Sequence, residues 1–309
     1  MRVTLIHNEG AGDEDQPSAE RLCELIRRAG HELSYRSARD DDWESALRGP
    51  YDIIAVAGGD GTIGRVAKHM VGSVIPLAVL PTGTANNISR TLGIVDVSLE
   101  QLIAAWERRH VRKLEVGVAR GPWGCRRFIE GVGAGLFAWT MPEADASGTL
   151  ASLDNADRKI AYALQMLKDR LEACPPIPLR ATLDGDDLSG DYVLFAAMIT
   201  RYIGPNLYLA PHADPHDGCL DVVMVSEAER SLLRDYLSSW QNGETRRAAL
   251  PTRRGRHLIL EWTGFHLHID DDIWPDEDAQ TPTAPTRIDI AVEAQAVGVL
   301  VPDEVKGEG

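Results

Sequence analysis

Several things are scarce in this sequence, and each shortage removes a class of protein. Four cysteines in 309 residues, at positions 23, 125, 174 and 219, form no C-x-x-C pair. That excludes a disulfide scaffold or a zinc ribbon and suits a reducing compartment. Basic side chains are in deficit, 32 Lys and Arg against 47 Asp and Glu, a net charge of -15. Such a balance argues against nucleic acid and against a membrane surface held by bulk electrostatics. It leaves room for a small phosphate ligand, which backbone N–H groups can hold without net charge. No apolar run reaches the ~18–20 residues needed to cross a bilayer, and Met1–His7 turns polar too soon for a signal peptide. The expectation is a cytoplasmic protein whose membrane contact, if any, is peripheral and transient. A Walker G-K-[ST] triplet is also missing, so no P-loop lysine is available. What remains is an ordinary globular composition, 44% hydrophobic and 26% charged, long enough for two domains.

The first third alternates strand and helix patterns. Val3–Ile6 and Leu33–Arg36 read as strands, and Tyr51–Ala57 and Ile75–Leu80 as strands buried on both faces. Between them lie a helix opened by Ser18, a short one over Trp43–Leu47, and one with Ile63, Val66, Ala67, Met70 and Val71 on a single face. Ser98 with Gln101 three residues on makes a capping box. This order predicts an α/β domain, a parallel sheet with helices on both faces. From about residue 114 the texture changes. Leu114–Val118, Arg127–Gly131, Leu179–Leu183, Tyr192–Ile199, Leu220–Val225, Leu258–Trp262 and Phe265–Ile269 read as strands of a β-sandwich-like domain, interrupted by helices near 152–173 and 229–241. The stripe Ile160, Ala163, Leu164, Leu167 and Leu171 in the first of these suits core packing, and Trp274–Pro285 reads as an exposed loop.

Gly58-Gly59-Asp60-Gly61-Thr62 stands where a buried strand ends and an amphipathic helix begins. Three glycines let a backbone approach phosphate closely, and a helix N-terminus offers free N–H groups and a positive dipole end. Asp60 makes sense there if a Mg²⁺ lies between carboxylate and phosphates; the plainer reading is a helix cap. One strand later Pro81-Thr82-Gly83-Thr84-Ala85-Asn86-Asn87 crowds hydroxyls and amides onto another strand-end turn. Two polar loops on the carboxyl edge of one sheet can grip a single polyphosphate. Arg65 and Lys68, on the helix that follows the first loop, read as solvent-facing.

G-G-D-G-T followed by P-T-G-T-A-N-N-I-S-R-T-L-G-I resembles the catalytic domain of the diacylglycerol kinase family, with its bacterial lipid kinases and sphingosine kinases. Asn8-Glu9-Gly10-Ala11-Gly12 is similar to the family's N-P-x-x-G opening, and Ser37 lies where it has a nucleotide-contacting Thr or Ser. Ala210–Val222 resembles its A-P-x-A-x-x-D-D-G-x-L-D-V segment, and Asp270-Asp271-Asp272 falls where it has D-G-E. The motifs keep family order over nearly the whole chain. The resemblance implies an ATP-binding domain over 1–113, rejoined by about 296–309, and a β-rich acceptor domain over 114–295. It further implies an ATP- and Mg²⁺-dependent kinase that phosphorylates a lipid or lipid-like alcohol.

By position, Asn8, Glu9, Gly10, Ala11, Gly12, Ser37, Gly58, Gly59, Asp60, Gly61, Thr62, Ile63, Gly64 and Thr84 would hold ATP. Asp272 would be the general base, with Asp270 supporting it or binding Mg²⁺ and Asp60 also in the catalytic set. Asp214, Asp217 and the carbonyl of Cys219 would match a structural Mg²⁺ site. Departures fall mostly at the acceptor end. Asp272 in place of Glu shortens the base by one methylene, and Asp271 in place of Gly gives up easy access to positive φ. Glu9 replaces Pro, Gly64 replaces Asn, and Asn87 replaces Asp.

Other candidates are weaker. In an extended strand His266, His268, Asp270 and Asp272 would share one face, although a flat face rarely converges ligands into a tetrahedron. His212 and His216 read as loop histidines, and Asp276, Glu277 and Asp278 as solvated. The expected partners are a nucleotide and a lipid or small-alcohol substrate, no nucleic acid, with homodimerisation open. Two alternatives stand: another kinase sharing the G-G-D-G-T loop, such as NAD kinase, or a nucleotide-binding regulator. The second loop does not look like that of NAD kinases.

Overall fold

Ile53–Gly58 and Leu77–Pro81, the runs richest in aliphatic side chains, lie side by side as parallel strands in the computed structural model. The structure describes residues 1–13, 16–244, 249–275, 284–293 and 296–303, with the side chains of 145 and 151 left aside. The chain divides into two units, Met1–Glu115 with Gln295–Gly309, and Val116–Ala294.

The first unit is built on β1 (Arg2–His7), α1 (Ala19–Arg28), β2 (Glu32–Ser37), β3 (Ile53–Gly58), α2 (Asp60–His69), β4 (Leu77–Pro81), α3 (Asn87–Thr91), α4 (Leu99–Ala105) and β5 (Val111–Leu114). Among the described residues its sheet runs β2-β1-β3-β4, then the chain's last strand Val297–Leu300, then β5. All neighbours are parallel except β5, which runs antiparallel to Val297–Leu300 and makes the sheet mixed. Ser18 caps α1 by accepting from Arg21 N, and Ser98 and Gln101 close the capping box on α4. Strands β3 and β4 are buried on both faces, which is why they read as unbroken apolar runs.

In the second unit β6 (Gly117–Gly121), β7 (Gly124–Phe128) and β8 (Gly131–Gly135) lead into α5 (Leu136–Ser147), α6 (Thr149–Ser152) and α7 (Ala156–Leu171). There follow β9 (Ile177–Leu183), β10 (Asp186–Asp187), β11 (Gly190–Met198), β12 (Leu220–Ser226), α8 (Arg230–Gln241), β13 (Thr252–Gly255), β14 (His257–Trp262), β15 (Leu267–Ile269), β16 (Asp272–Trp274) and β17 (Thr286–Val292). These strands join in one curled antiparallel sheet. Strand β11 shows how it curls. Gly190–Tyr192 pairs with β9, and Leu194–Met198 pairs with β8. Its side chains serve two cores in alternation. Phe195 and Ala197 join Trp262, Leu267 and Trp274 inside the curl, while Leu194, Ala196 and Met198 pack with Leu164 and Leu167 of α7.

The strands expected over Leu114–Val118 and Arg127–Gly131 each break in two. Leu114 ends β5 and Gly117 begins β6, with the unit boundary at Glu115 and Val116 between them. Phe128 ends β7 and Gly131 begins β8, because the amides of 129–131 turn to a carboxylate instead of the ladder. Helix α5 was not expected. Its opening Leu-Phe-Ala-Trp-Thr-Met is apolar all round and offers no one-sided stripe to read. Asp276, Glu277, Asp278 and most of the loop expected over Trp274–Pro285 lie outside the described residues.

Candidate functional site

Register puts the loops of the first unit on one edge. His7 pairs with Ser37 and Ala57, and Gly58 pairs with Pro81. The segments after β1, β2, β3 and β4 therefore all leave the carboxyl edge, where open α/β sheets bind ligands. They are tied to one another. Asn8 N donates to the Ala57 carbonyl at 2.9 Å, and Asn8 Nδ2 donates to Thr62 Oγ1 at 3.0 Å. Asn8 Oδ1 accepts from Gly10 N, and its carbonyl from Ala11 N, closing a tight turn over 8–11. Gly12 holds a φ of +82° with room for a side chain closed by the Thr82 carbonyl.

The contact between the two glycine loops is closer still. A Cβ on Gly83 would overlap the Cα of Gly59, and one on Gly59 would stand 3.2 Å from the Cα of Gly83. Glycine at position 83 is what lets these backbones touch, and glycine at 59 keeps the contact free of crowding. Asn86, in the left-handed region at φ 55°, braces the second loop: its Oδ1 accepts from Gly83 N at 3.0 Å and its Nδ2 donates to the Gly83 carbonyl at 2.9 Å. Asn86 stood in the quoted motif without an assigned role. The local signal for it is an Asn three residues after a turn glycine.

Asp60 opens α2 but serves α3. Its Oδ1 accepts from Ile88 N at 2.9 Å, and the amides of Asn86 and Asn87 also draw on its charge. Burial pushes this carboxyl up, and those backbone donors only partly offset the effect. The helix-cap reading of Asp60 is therefore right in kind, with the neighbouring turn as the one capped. In α2 itself Thr62 N and Ile63 N both donate to the Gly59 carbonyl. The amides of Gly59 and Gly61 are left at the positive end of the helix, placed for an anion. The Ile63 side chain is fully buried, as is Gly64, so these two shape the loop from below. Thr84 is half-buried on the second loop. Ser37 turns its hydroxyl to Arg39 N, and Glu9 Oε1 accepts from the Tyr35 hydroxyl, whose pKa burial and that carboxylate raise to about 12. Arg65 is spent elsewhere, on the Ala38 carbonyl and the face of Trp43. These residues fit a nucleotide's phosphates: close backbone approach, amides at the positive end of a helix, and the Arg39 guanidinium beside Gly10.

The second unit carries the acidic triplet. Ile269 pairs with Asp272 across β15 and β16, so Asp270 and Asp271 form the tip of a two-residue hairpin. The chain reverses there, and Asp272 does not continue the line of His266 and His268. Asp270 takes the positive φ, 52°, a conformation Asp tolerates better than most residues. Loss of glycine at position 271 thus costs nothing in backbone freedom. The Asp270 carboxylate accepts from Ile129 N at 3.0 Å, Glu130 N at 2.8 Å and Gly131 N at 3.3 Å. Asp272 is exposed at the start of β16, whose Trp274 anchors the hairpin against Trp123 and Trp262 at ring separations of 4.5 and 4.4 Å. His268 is fully buried against Phe137, and burial lowers its pKa to about 4. Exposed His266 and buried His268 do not converge, and among the described residues no three His, Cys, Asp or Glu side chains could hold a metal.

Asp214, Asp217 and Cys219 sit in one loop, where Asp217 N donates to the Asp214 carbonyl. The Asp217 carboxylate accepts from Cys219 N at 2.9 Å and pairs with the Arg254 guanidinium. With a cation of the chain already on the central carboxylate, these residues do not fit a resident Mg²⁺.

Comparisons with known proteins agree with this layout. Residues 2–119 match the family model described as the diacylglycerol kinase catalytic domain, and residues 140–299 the one described as the YegS C-terminal NAD kinase beta sandwich-like domain. A diacylglycerol kinase of Mycobacterium tuberculosis is 25% identical over 245 residues, 77% of this chain and 76% of its own. One from Bacillus subtilis is 26% identical over 266 residues, 83% of this chain and 80% of its own. A crystal structure of a diacylglycerol kinase from Bacillus anthracis superposes with a TM-score of 0.68 at 20% identity, covering 98% of each chain. An NAD kinase from Archaeoglobus fulgidus in complex with ATP gives 0.53 at 13% identity, over 99% of this chain and 95% of its own. At those identities the two structures show a shared fold.

Proposed function

Because this chain belongs to the diacylglycerol kinase catalytic-domain family, we propose that it transfers the γ-phosphoryl group of Mg-ATP to the hydroxyl of a lipid or lipid-like alcohol. The observation that carries the reading is the backbone contact of Gly59 with Gly83 at the carboxyl edge of the first unit's sheet, beside the unpaired Gly59 and Gly61 amides. Phosphoryl transfer asks mainly for positioning and neutralised charge. The Gly59 and Gly61 amides and the Thr84 hydroxyl hold phosphate oxygens within the Gly58–Thr62 and Pro81–Asn87 loops. Asn8–Gly12 and Ser37 border the nucleotide, and Asp60 faces the Mg²⁺ that arrives with ATP. The Asp272 carboxylate takes the acceptor's proton as its oxygen bonds to phosphorus and the bond to the ADP oxygen breaks. Asp270 is the positioning residue that keeps the hairpin tip in place. Mg²⁺ enters as part of the substrate, supplying charge neutralisation on the phosphates. A lipid acceptor would be met by peripheral, transient membrane contact; among the described residues no helix is long and apolar enough to cross a bilayer.

The test is to incubate the protein with γ-labelled ATP, Mg²⁺ and separate panels of diacylglycerols, other lipid alcohols and NAD. Label is expected in a lipid phosphate. Label only in NAD, or tight ATP binding without transfer to any acceptor, overturns the proposal.

A further inference from the structure

The loop between β11 and β12 carries two acids, Asp214 and Asp217, and the carboxylate of Asp217 is paired with a guanidinium of the chain itself. Arg254 lies directly across from Asp221 in the β12–β13 ladder, so backbone register alone sets its side chain beside that carboxylate. Its Nη2 pairs with Asp217 Oδ2, and its Nε stands 3.9 Å from Asp221 Oδ2. Asp221 is only 2% exposed, and an unpartnered carboxylate at that depth would be costly. A second guanidinium works from the other side. Arg201 Nε donates to the Ala213 carbonyl at 3.1 Å, while Arg201's own carbonyl accepts from Ala210 N. Carboxylates and a loop carbonyl are the donor oxygens a hard divalent cation would gather. Here Arg254 takes the Asp217 carboxylate and stands beside that of Asp221, and Arg201 takes the Ala213 carbonyl.

We propose that Arg201 and Arg254 replace a divalent cation as the structural clamp of the Ala210–Asp221 segment, making the fold of the second unit independent of bound metal. A metal entering the loop would have to displace Arg254 from Asp217. The position of Arg254 carries the difference. An uncharged side chain there would free both carboxylates, and the segment would then need a metal.

The full chain, stripped with EDTA and kept free of nucleotide, is compared with the same protein in millimolar Mg²⁺ by calorimetry and by metal analysis. The expected result is substoichiometric Mg²⁺ after dialysis and the same Tm in both buffers. Arg254→Met should lower Tm by roughly 5 °C or more in EDTA, with part of the loss recovered by Mg²⁺. Arg254→Lys should retain more of the native Tm than Met does. The proposal is overturned by one Mg²⁺ per chain that Asp217→Asn removes, by a native Tm that falls in EDTA unless Asp217 is substituted, or by an Arg254→Met protein of unchanged Tm. If Arg254→Met does not fold, the EDTA comparison of the native chain and Asp217→Asn still decides. Neither readout depends on which hydroxyl accepts phosphate.

Discussion

Asp60 sits in the first turn of α2 yet spends an oxygen on Ile88 N of the next loop, so one side chain is asked for both a cap and a charge. The two tasks separate by substitution. Asp60→Asn keeps an acceptor oxygen for Ile88 and loses the charge, and should leave Tm near native while lowering turnover ~100-fold or more. Asp60→Ala loses both and should also cost about 1 kcal/mol of stability, the usual worth of such a cap. Calorimetry beside steady-state kinetics reads the pair; an Asn variant with native turnover would make Asp60 a cap alone. Asp272 is the simpler case, being exposed and free to change length. Asp272→Asn should leave ATP affinity unchanged and reduce kcat by ~100-fold or more, the scale of a lost general base. Asp272→Glu restores the carboxylate reach typical of the family's D-G-E and should match or exceed native kcat.

Between residues and domains, the loops act in pairs. Gly83→Ala places a methyl where the Gly59 backbone already is, so the loops must part. ATP affinity is expected to fall at least ~10-fold, about 1.4 kcal/mol, which titration with a fluorescent ATP analogue would measure. The β15–β16 hairpin carries a pH dependence of its own. His268 ionises near 6.5 when free and near 4 when buried. Between those values the unfolded chain binds a proton that the folded chain refuses, so stability falls as pH drops through that window, by about 3 kcal/mol in all. His268→Asn should flatten the Tm profile from pH 6.5 to 4 relative to the native protein, at some cost in packing against Phe137. Elements of this size were unevenly legible. Ser18 and Ser98 announced their helices because a cap is a local hydrogen bond. Helix α5 is silent because its apolar first half passes into a polar second half, Pro142–Ser147, with no one-sided stripe along its length.

For the molecule as a whole, the first unit is discontinuous in sequence, closed by Val297–Leu300 between β4 and β5. Mg-ATP should therefore slow amide exchange over 53–64, 82–91 and the last strand together, and leave β9 and β14 unchanged. Exchange measured by mass spectrometry with and without nucleotide checks this, and protection confined to β9 and β14 would contradict the site. The α/β and β-rich halves, the two glycine loops and the acidic triplet are all legible along the chain. Those are carried by short-range signals: period, caps, and glycines at strand ends. Folding in three dimensions is what makes Asp60 cap the neighbouring turn, Asp270 hold the 129–131 amides, and Arg254 pair with Asp217 beside Asp221. Each of those pairs lies 28 or more residues apart in sequence. Strand register and chain reversal bring them together, and neither is written in the local pattern of any one segment.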